Sequence, residues 1–450
     1  MAKNHQHAAI ALNRFGYGGS GEELQLAAGN PKAYLKHGLT PVVFNDELPD
    51  SNTLMSKAGE LIKQYRQAKK SGQSEEQLKQ LRQQRQRLSR QSFQKVSVSS
   101  ITGAVHSTNT INWRLLDFFS NHFSVTGQGP VMLILAPTLE REAIANNLFG
   151  RFEDLLIAVV QHPAMLIYLN NEQSFGKNSQ AGKRGRGLNE NLAREILELH
   201  TLGVDGPYNQ QDVIELAKAI TGWSVGAVQR DEQPGFLFRS FGHEPGSRRL
   251  LDKTYKQQGI KQGLAMLKDL ANHPTTAQYI CHKMVKHFIM DKPEPKLVDA
   301  MVNTWMASRG DIKSVVATMI DSDYSWQPQR QKFKTPRDYV ISTLRTLGLN
   351  QYKEKQLSYT MRELGQLPFK AGSPAGYSDE QADWDGSSAL VAKIDWVSML
   401  VAKVDVSAMD IINNNLALAN TSLTYNMVSR SESRDQALAL ALLSPEFMRR

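Results

Sequence analysis

Apolar positions along the chain recur mostly three and four residues apart, which predicts a succession of helices and little strand. Residues 5–37 read as a helical pair joined by the glycine turn Phe15-Gly16-Tyr17-Gly18-Gly19. From Leu54 to Val96 the apolar positions thin out to Leu61, Tyr65, Leu78, Leu81, Leu88 and Phe93, scattered among Gln, Arg, Lys and Glu and broken once by Gly72. That pattern predicts a long, exposed helical hairpin or arm. Ser97 to Thr110 is Ser- and Thr-rich and reads as a linker. Asn112 to Val125 is an aromatic helix with Trp113, Leu116 and Phe119 on one face, and it carries His122 between Asn121 and Phe123. Helices follow over 140–158 and 162–169. A Gly-, Asn- and base-rich loop over 170–187 then leads into the most polar segment of the chain and is placed to cover it as a lid.

That segment is GLNENLAREILELHTLGVDGPYNQQDVIELAKAITGW, Gly187 to Trp223. Asn189 is the expected N-cap, and Gly203 the expected left-handed C-cap. Between them Leu192, Ala193, Ile196, Leu197 and Leu199 supply the apolar face. Residues four apart share a face, so Glu190, Arg194 and Glu198 form one row and Asn191 and Glu195 its neighbour. The row has two readings. One is a surface ion-pair ladder, contributing about 0.3–0.5 kcal/mol per pair. The other is a buried polar row in a cleft, where Arg194 holds one carboxylate ionised and leaves another free for acid/base work. In the second reading Arg194 and Glu198 meet in the interior and face the segment carrying His243. A second helix opens near Gln210 and closes at Thr221-Gly222-Trp223.

Beyond Trp223 the period changes. Phe236 to Phe241 alternates in part and pairs with Val225 to Val228 in an expected short hairpin, followed by His243-Glu244-Pro245-Gly246 and Lys253. Residues 259–291 and 296–321 are helical by period. Lys334-Thr335-Pro336-Arg337 opens a helix over Tyr339 to Leu347, and Lys353 to Leu364 forms another. Pro368 to Ser387 is a loop anchored by Trp384, and helices run from there to Arg450. The fold class is therefore mostly α: a large helical domain with a short β-hairpin insertion and a projecting helical arm. Its expected parts are 1–55 (core), 56–110 (arm and linker), 111–350 (central domain, hairpin at 224–255) and 351–450 (C-terminal helices packed on the core).

The run N-E-N-x-A-R-E-x-L-E-L-H-T-L-G-V-D-G, with Tyr208, Asp212-Val213 and Thr221-Gly222-Trp223 after it, resembles the signature of the bacterial domain-of-unknown-function family 1800. The likeness spans nearly the whole chain. It includes Leu12 to Gly18, Asn121-His122-Phe123, His162 to Met165 and His273 to Ala277 with Lys283. It continues through Gly310-Asp311-Ile312, Lys334-x-Pro336 and Ser373-Pro374-Ala375-Gly376-Tyr377. Glu244 stands where the resemblance implies Asp. The resemblance implies a shape and an order of motifs, and no reaction. It also implies a secreted, sulfatase-like partner protein, and export for many relatives.

Composition narrows the functional classes. Of the 450 residues, 41% are hydrophobic, enough for a large core. No apolar run reaches the roughly 18 residues of a membrane span. The start MAKNHQHAAIALNRFGYGG lacks a signal-peptide pattern, so the expectation is cytoplasmic, or periplasmic if a leader has been removed. The net charge is +9, much of it in Lys69 to Lys95 and in Lys183-Arg184-Gly185-Arg186. Without a nucleic-acid-binding signature, that charge points to a polysaccharide or other polyanionic partner and not to nucleic acid. Cys281 is the one cysteine, which excludes an internal disulfide and a cysteine-rich zinc site. The eleven histidines include no H-E-x-x-H. Any metal site would have to be assembled in space from His122, Glu198, His200 and His243, and no cofactor is legible. No G-x-S-x-G elbow is present.

Acid/base chemistry is what remains. The catalytic candidates are Glu190, Arg194, Glu195, Glu198, His200, His122 and His243. The candidates for substrate contact are Asn189, Asn191, Tyr208, Trp223, Lys253 and Trp384, the aromatics offering stacking faces for sugars. Two functions follow. The chain is an enzyme, hydrolase or lyase, acting on a polysaccharide or other envelope polymer. Alternatively, it is a non-catalytic binding or assembly protein whose basic arm at 56–95 holds a partner.

Overall fold

The computed structural model describes residues 2–44, 47–226, 231 and 233–450. Helix accounts for 62% of the chain, against two antiparallel two-stranded sheets. The fold is therefore mostly α with short hairpins, as the periodicity predicts. One main hydrophobic core runs from Ala11 to Phe447 and draws residues from every part of the chain. Among the described residues no helix is long and apolar enough to cross a membrane.

The Gln/Arg/Lys-rich stretch is two helices, Ser51–Lys70 and Glu75–Ser97, turned at Gly72 with φ +72°. Ser74 and Gln77 form a capping box at the start of the second helix. The tip is exposed. The base is not a free projection: both helices pack along the apolar helix Gly129–Leu139. Leu54 and Val96 are buried there, and Phe93 lies against Gly127. The expected linker after it is in fact a core helix, Ser99–His106. Its Ile101, Ala104 and Val105 fall on one buried face, and Gly103 meets Trp113 so closely that a Cβ there would sit 2.2 Å from the indole. Serine and threonine content hid a helical spacing that burial then decided.

The sheets are two hairpins where one was expected. Strands β1 (Trp223–Gly226) and β2 (Gly235–Phe238) pair with Val225 opposite Phe236; the expected extension to Val228 lies outside the described residues. Strands β3 (Arg248–Leu250) and β4 (Lys253–Tyr255) pair across the two-residue turn Leu251-Asp252. Both turn residues have positive φ, +46° and +62°, a conformation usually signalled by Asn or Gly and here not.

At the centre lies a buried ionic node. Thr335 caps the helix Pro336–Thr346, with Pro336 in its first turn and Asp338 at the third position. The Asp338 carboxylate takes both oxygens to Arg114 Nη1, at 3.0 and 3.1 Å, and one to Arg450 Nε at 3.0 Å. All three side chains are 0–1% exposed. Arg114 also donates to Gly16 O from Nε (2.8 Å) and Nη2 (2.5 Å), and its guanidinium lies over Tyr17. Arg450 donates to the carbonyls of His287 and Phe288. Despite complete burial, the two guanidiniums hold the Asp338 carboxyl well below the usual carboxylate range.

Two expectations follow. Asp338→Asn leaves two buried guanidiniums without a countercharge and should cost about 3–5 kcal/mol in denaturant unfolding; an unchanged midpoint would contradict the node. Replacing residues 62–86 by a short Gly-Ser turn should leave the melting temperature nearly unchanged. Deleting 51–97, which uncovers the helix Gly129–Leu139, should lower it sharply or abolish folding.

Candidate functional site

The signature segment begins one residue later than Asn189 would place it. Its helix is Asn191–Glu195, and Asn189 Oδ1 accepts from Asn191 N at 2.9 Å without being the formal cap. From Ile196 to Thr201 the backbone is a π-helix. Thr201 Oγ1 donates to Ile196 O at 2.6 Å and Leu202 N to Leu197 O at 3.0 Å, both five residues back. Gly203 then takes φ +86°, as expected.

Glu190, Arg194 and Glu198 do form a row. Arg194 lies 3.5 Å from Glu190 and 3.2 Å from Glu198, and also donates to Gln210. The row is not interior: the three side chains are 27–38% exposed. It does not face His243 either. His243 Nδ1 donates to Thr221 O at 3.1 Å, and its ring packs on Phe238. Lys253 is exposed and pairs with Asp269. The expected common polar site of Arg194, Glu198, His243 and Lys253 is therefore not formed. The 170–187 loop does not hang free as a lid. Glu244 accepts from Asn178 N at 2.8 Å and Asn178 Nδ2 at 2.6 Å, and Gly176 fits against Glu244 where a Cβ would collide at 2.4 Å. Trp223 is fully buried and edge-on to Phe236, so it offers no face to a sugar. Trp384 is largely buried and donates to Ser378 O at 2.9 Å, which suits its expected role as loop anchor. Asn191 is exposed, and Tyr208 is half-buried with its hydroxyl on Val204 O. His122, Glu198, His200 and His243 do not converge, and among the described residues no group of three potential metal ligands comes together.

What converges is a set of motif segments distant in sequence. The aromatic helix Thr110–His122 presents Phe118 and His122, four apart, to Tyr279, Lys283 and His287, also four apart, on the helix Pro274–Phe288. His122 Nε2 faces His200 O at 3.2 Å, and a carbonyl accepts only, so Nε2 carries the proton. Nδ1 is then the lone-pair nitrogen, and it accepts from Lys283 Nζ at 3.2 Å. Tyr279 lies beside both, its ring 6.3 Å from His122 and 5.4 Å from the Lys283 ammonium. Asn121 binds both backbone sides of Tyr377 (2.8 and 2.7 Å), bringing the loop 368–387 across the same helix. That loop delivers Asp379, which accepts from His287 Nδ1 at 2.9 Å.

Burial and a shortage of nearby carboxylates set the charge states. Burial first, then Lys283, pushes His122 well below the ordinary imidazole range. The fully buried His200, neither ring nitrogen of which has a partner, is pushed down to about 3 by burial and by Lys283. Burial pushes Lys283 itself down to about 8, Lys286 adding to the effect and Asp379 opposing it. Lys283 is nevertheless partly exposed. Glu195, half-buried nearby on the signature segment, is raised by burial and by Glu198. Lys283, Tyr279, His287, Asp379 and Tyr377 were not among the sequence candidates, although the i, i+4, i+8 spacing of Tyr279, Lys283 and His287 was available to find three of them.

Lys283 should label with an amine-reactive reagent with a pH midpoint near 8, and exposed lysines near 10.4; competitive labelling read by peptide mass spectrometry checks this. Both imidazoles are held neutral, with folded values below the unfolded one near 6.5. Their contribution is present above that pH and is lost as pH falls from about 6.5 toward 3. Urea midpoints across that range should fall accordingly, and less so in His200→Phe.

No curated protein and no solved structure matches the chain. A family model described as "Protein of unknown function (DUF1800)" matches residues 10–449, nearly the whole length. The chain belongs to that family.

Proposed function

We propose that the chain is an acid/base enzyme, hydrolase or lyase, acting on a polysaccharide or other envelope polymer, with Lys283 and His122 as its proton-handling pair. The observation that carries this reading is the ammonium of Lys283, a residue of intermediate burial, hydrogen-bonded to the lone-pair nitrogen of a tautomer-locked His122. A lysine lowered to about 8 is a base near neutral pH: a useful fraction is the free amine, able to take a proton from a substrate O–H or C–H. His122, held neutral, receives the resulting ammonium as a hydrogen-bond donor and orients it. The Tyr279 hydroxyl stands by as a proton donor. Tyr208 and Tyr279 give aromatic faces of the kind that stack on sugars, and Glu198 borders Tyr208 on the signature segment. In this reading the Glu190–Arg194–Glu198 row shapes the rim and leaves proton transfer to Lys283.

The second reading, a non-catalytic binding or assembly protein serving a secreted, sulfatase-like partner, draws on the same row. Its charges are satisfied by one another and by Gln210 at the surface, and the exposed tip of the 51–97 hairpin offers a basic face.

The test is turnover of a panel of neutral and acidic polysaccharides, read by chain length and by ultraviolet absorbance of unsaturated ends. Lys283→Met and His122→Gln should each lower turnover at least about 100-fold while the protein stays folded. Turnover unaffected in both variants would remove the assignment. Failure of the wild-type protein to turn over any member while binding one would favour the second reading.

A further inference from the structure

A different part of the molecule has the makings of an anion site. Where the first helix and the end of the chain meet, a cavity of about 350 Å³ is lined by Arg14, Arg330, Arg449 and Arg450, together with Asn13 and Glu446. Four arginines thus line a space whose lining includes one acidic residue, Glu446. Of the four, only Arg450 has an ion-pair partner among the described residues, and it shares that partner, Asp338, with Arg114. Arg14, Arg330 and Arg449 have none.

Their orientation is fixed by neutral oxygens, backbone carbonyls for Arg14 and Arg330 and a side-chain amide for Arg449, which hold a guanidinium in place without cancelling its charge. Arg14 donates to Ser325 O (2.8 Å), Gln327 O (2.8 Å) and Gln329 O (2.7 Å). Arg330 donates to Glu446 O (2.7 Å) and to Leu416 O. Arg449 is held by Gln381 Oε1 at 2.9 Å. The Glu446 carboxylate is itself engaged by the Thr424 hydroxyl. Arg14 is 2% exposed, and its Nε–H has no acceptor among the described residues. A buried, unsatisfied charged donor is costly and rare in a folded protein. An anion in the cavity would remove that cost.

We propose that this cavity binds a small molecule through a divalent tetrahedral oxyanion, a phosphate or sulfate group, with Arg14, Arg330 and Arg449 as its cationic wall. Planar guanidiniums in a low-dielectric recess match such oxyanions in shape and charge. The volume exceeds what one bare oxyanion needs and leaves space for the group it is attached to. The crowding of like charges is what a bound anion would relieve. Arg14 is pushed down to about 10 by burial and then by Arg330 and Arg450, while burial takes Arg330 to about 10 against the opposing pull of Glu446. The inference is independent of the Lys283 reading.

The experiment uses the intact chain with sodium phosphate and, separately, sodium sulfate, each against sodium chloride at matched ionic strength. A saturable rise in melting temperature of at least about 2 °C is expected with one or both oxyanions and not with chloride. Isothermal titration of the wild-type protein with the same salts should give one site per chain. Arg449→Gln, at the rim, should weaken that binding about tenfold or more while the unliganded melting curve stays close to wild type. Whether phosphate or sulfate binds better identifies which group the natural ligand carries. The absence of saturable binding of either oxyanion to the wild-type protein overturns the proposal, as does binding that Arg449→Gln and Arg330→Gln both leave unchanged.

Discussion

The fully buried Asp338 carboxylate, shared by Arg114 and Arg450, is the constraint on which the rest of the arrangement depends. Ions cost several kcal/mol each to bury, so they must meet in one geometry or be left at great expense. Meeting there fixes four pieces of chain at once: the Gly16 turn, the aromatic helix, the helix Pro336–Thr346 and the C-terminal residues. Arg450 extends the tie to the carbonyls of His287 and Phe288 at the end of the helix that carries Lys283. The approach of His122 to Lys283 is thus set from one side by Arg114 on its own helix and from the other by Arg450.

Around this node the interior is cation-rich. The Lys334 ammonium is buried over the Phe447 ring with no hydrogen-bond partner among the described residues, and burial drives its pKa far down. Lys283 is lowered for the same principal reason, but it differs in being partly open to solvent and in having a neutral imidazole to donate to. That contrast is what the role proposed for Lys283 rests on. Arg14 and Arg330 form a third case, cations that line a cavity and have no ion pair among the described residues.

Spacing alone revealed the Glu190–Arg194–Glu198 row, since an i, i+4 rule needs no tertiary knowledge. It could not say which side of the helix faces water, and the row sits at the surface. The π-helix over Ile196–Thr201 adds a second uncertainty, because it shifts the facing of every residue after Glu195 relative to a regular helix. His200, two residues past Glu198 and so on another side of the helix, is turned wholly into the core. The helix Ser99–His106 was concealed by serine and threonine, and the Leu251-Asp252 turn by residues that do not advertise positive φ. The row of Tyr279, Lys283 and His287 was present in the spacing but did not stand out, because its partners lie about 160 residues earlier and 90 later.

By itself, the sequence determined the helical class, the family, the position of most helices, the first hairpin and the ladder on the signature segment. These follow from local periodicity, caps and turn residues, whose physics acts over a few residues. Only the tertiary structure decided which charges are buried, that His122 meets Lys283, that Asp379 reaches His287, and that four arginines border one cavity. Those outcomes depend on how distant helices are clamped together. Burial is a property of the assembled core, and it is burial that turns an ordinary lysine and two ordinary histidines into groups with displaced proton affinities.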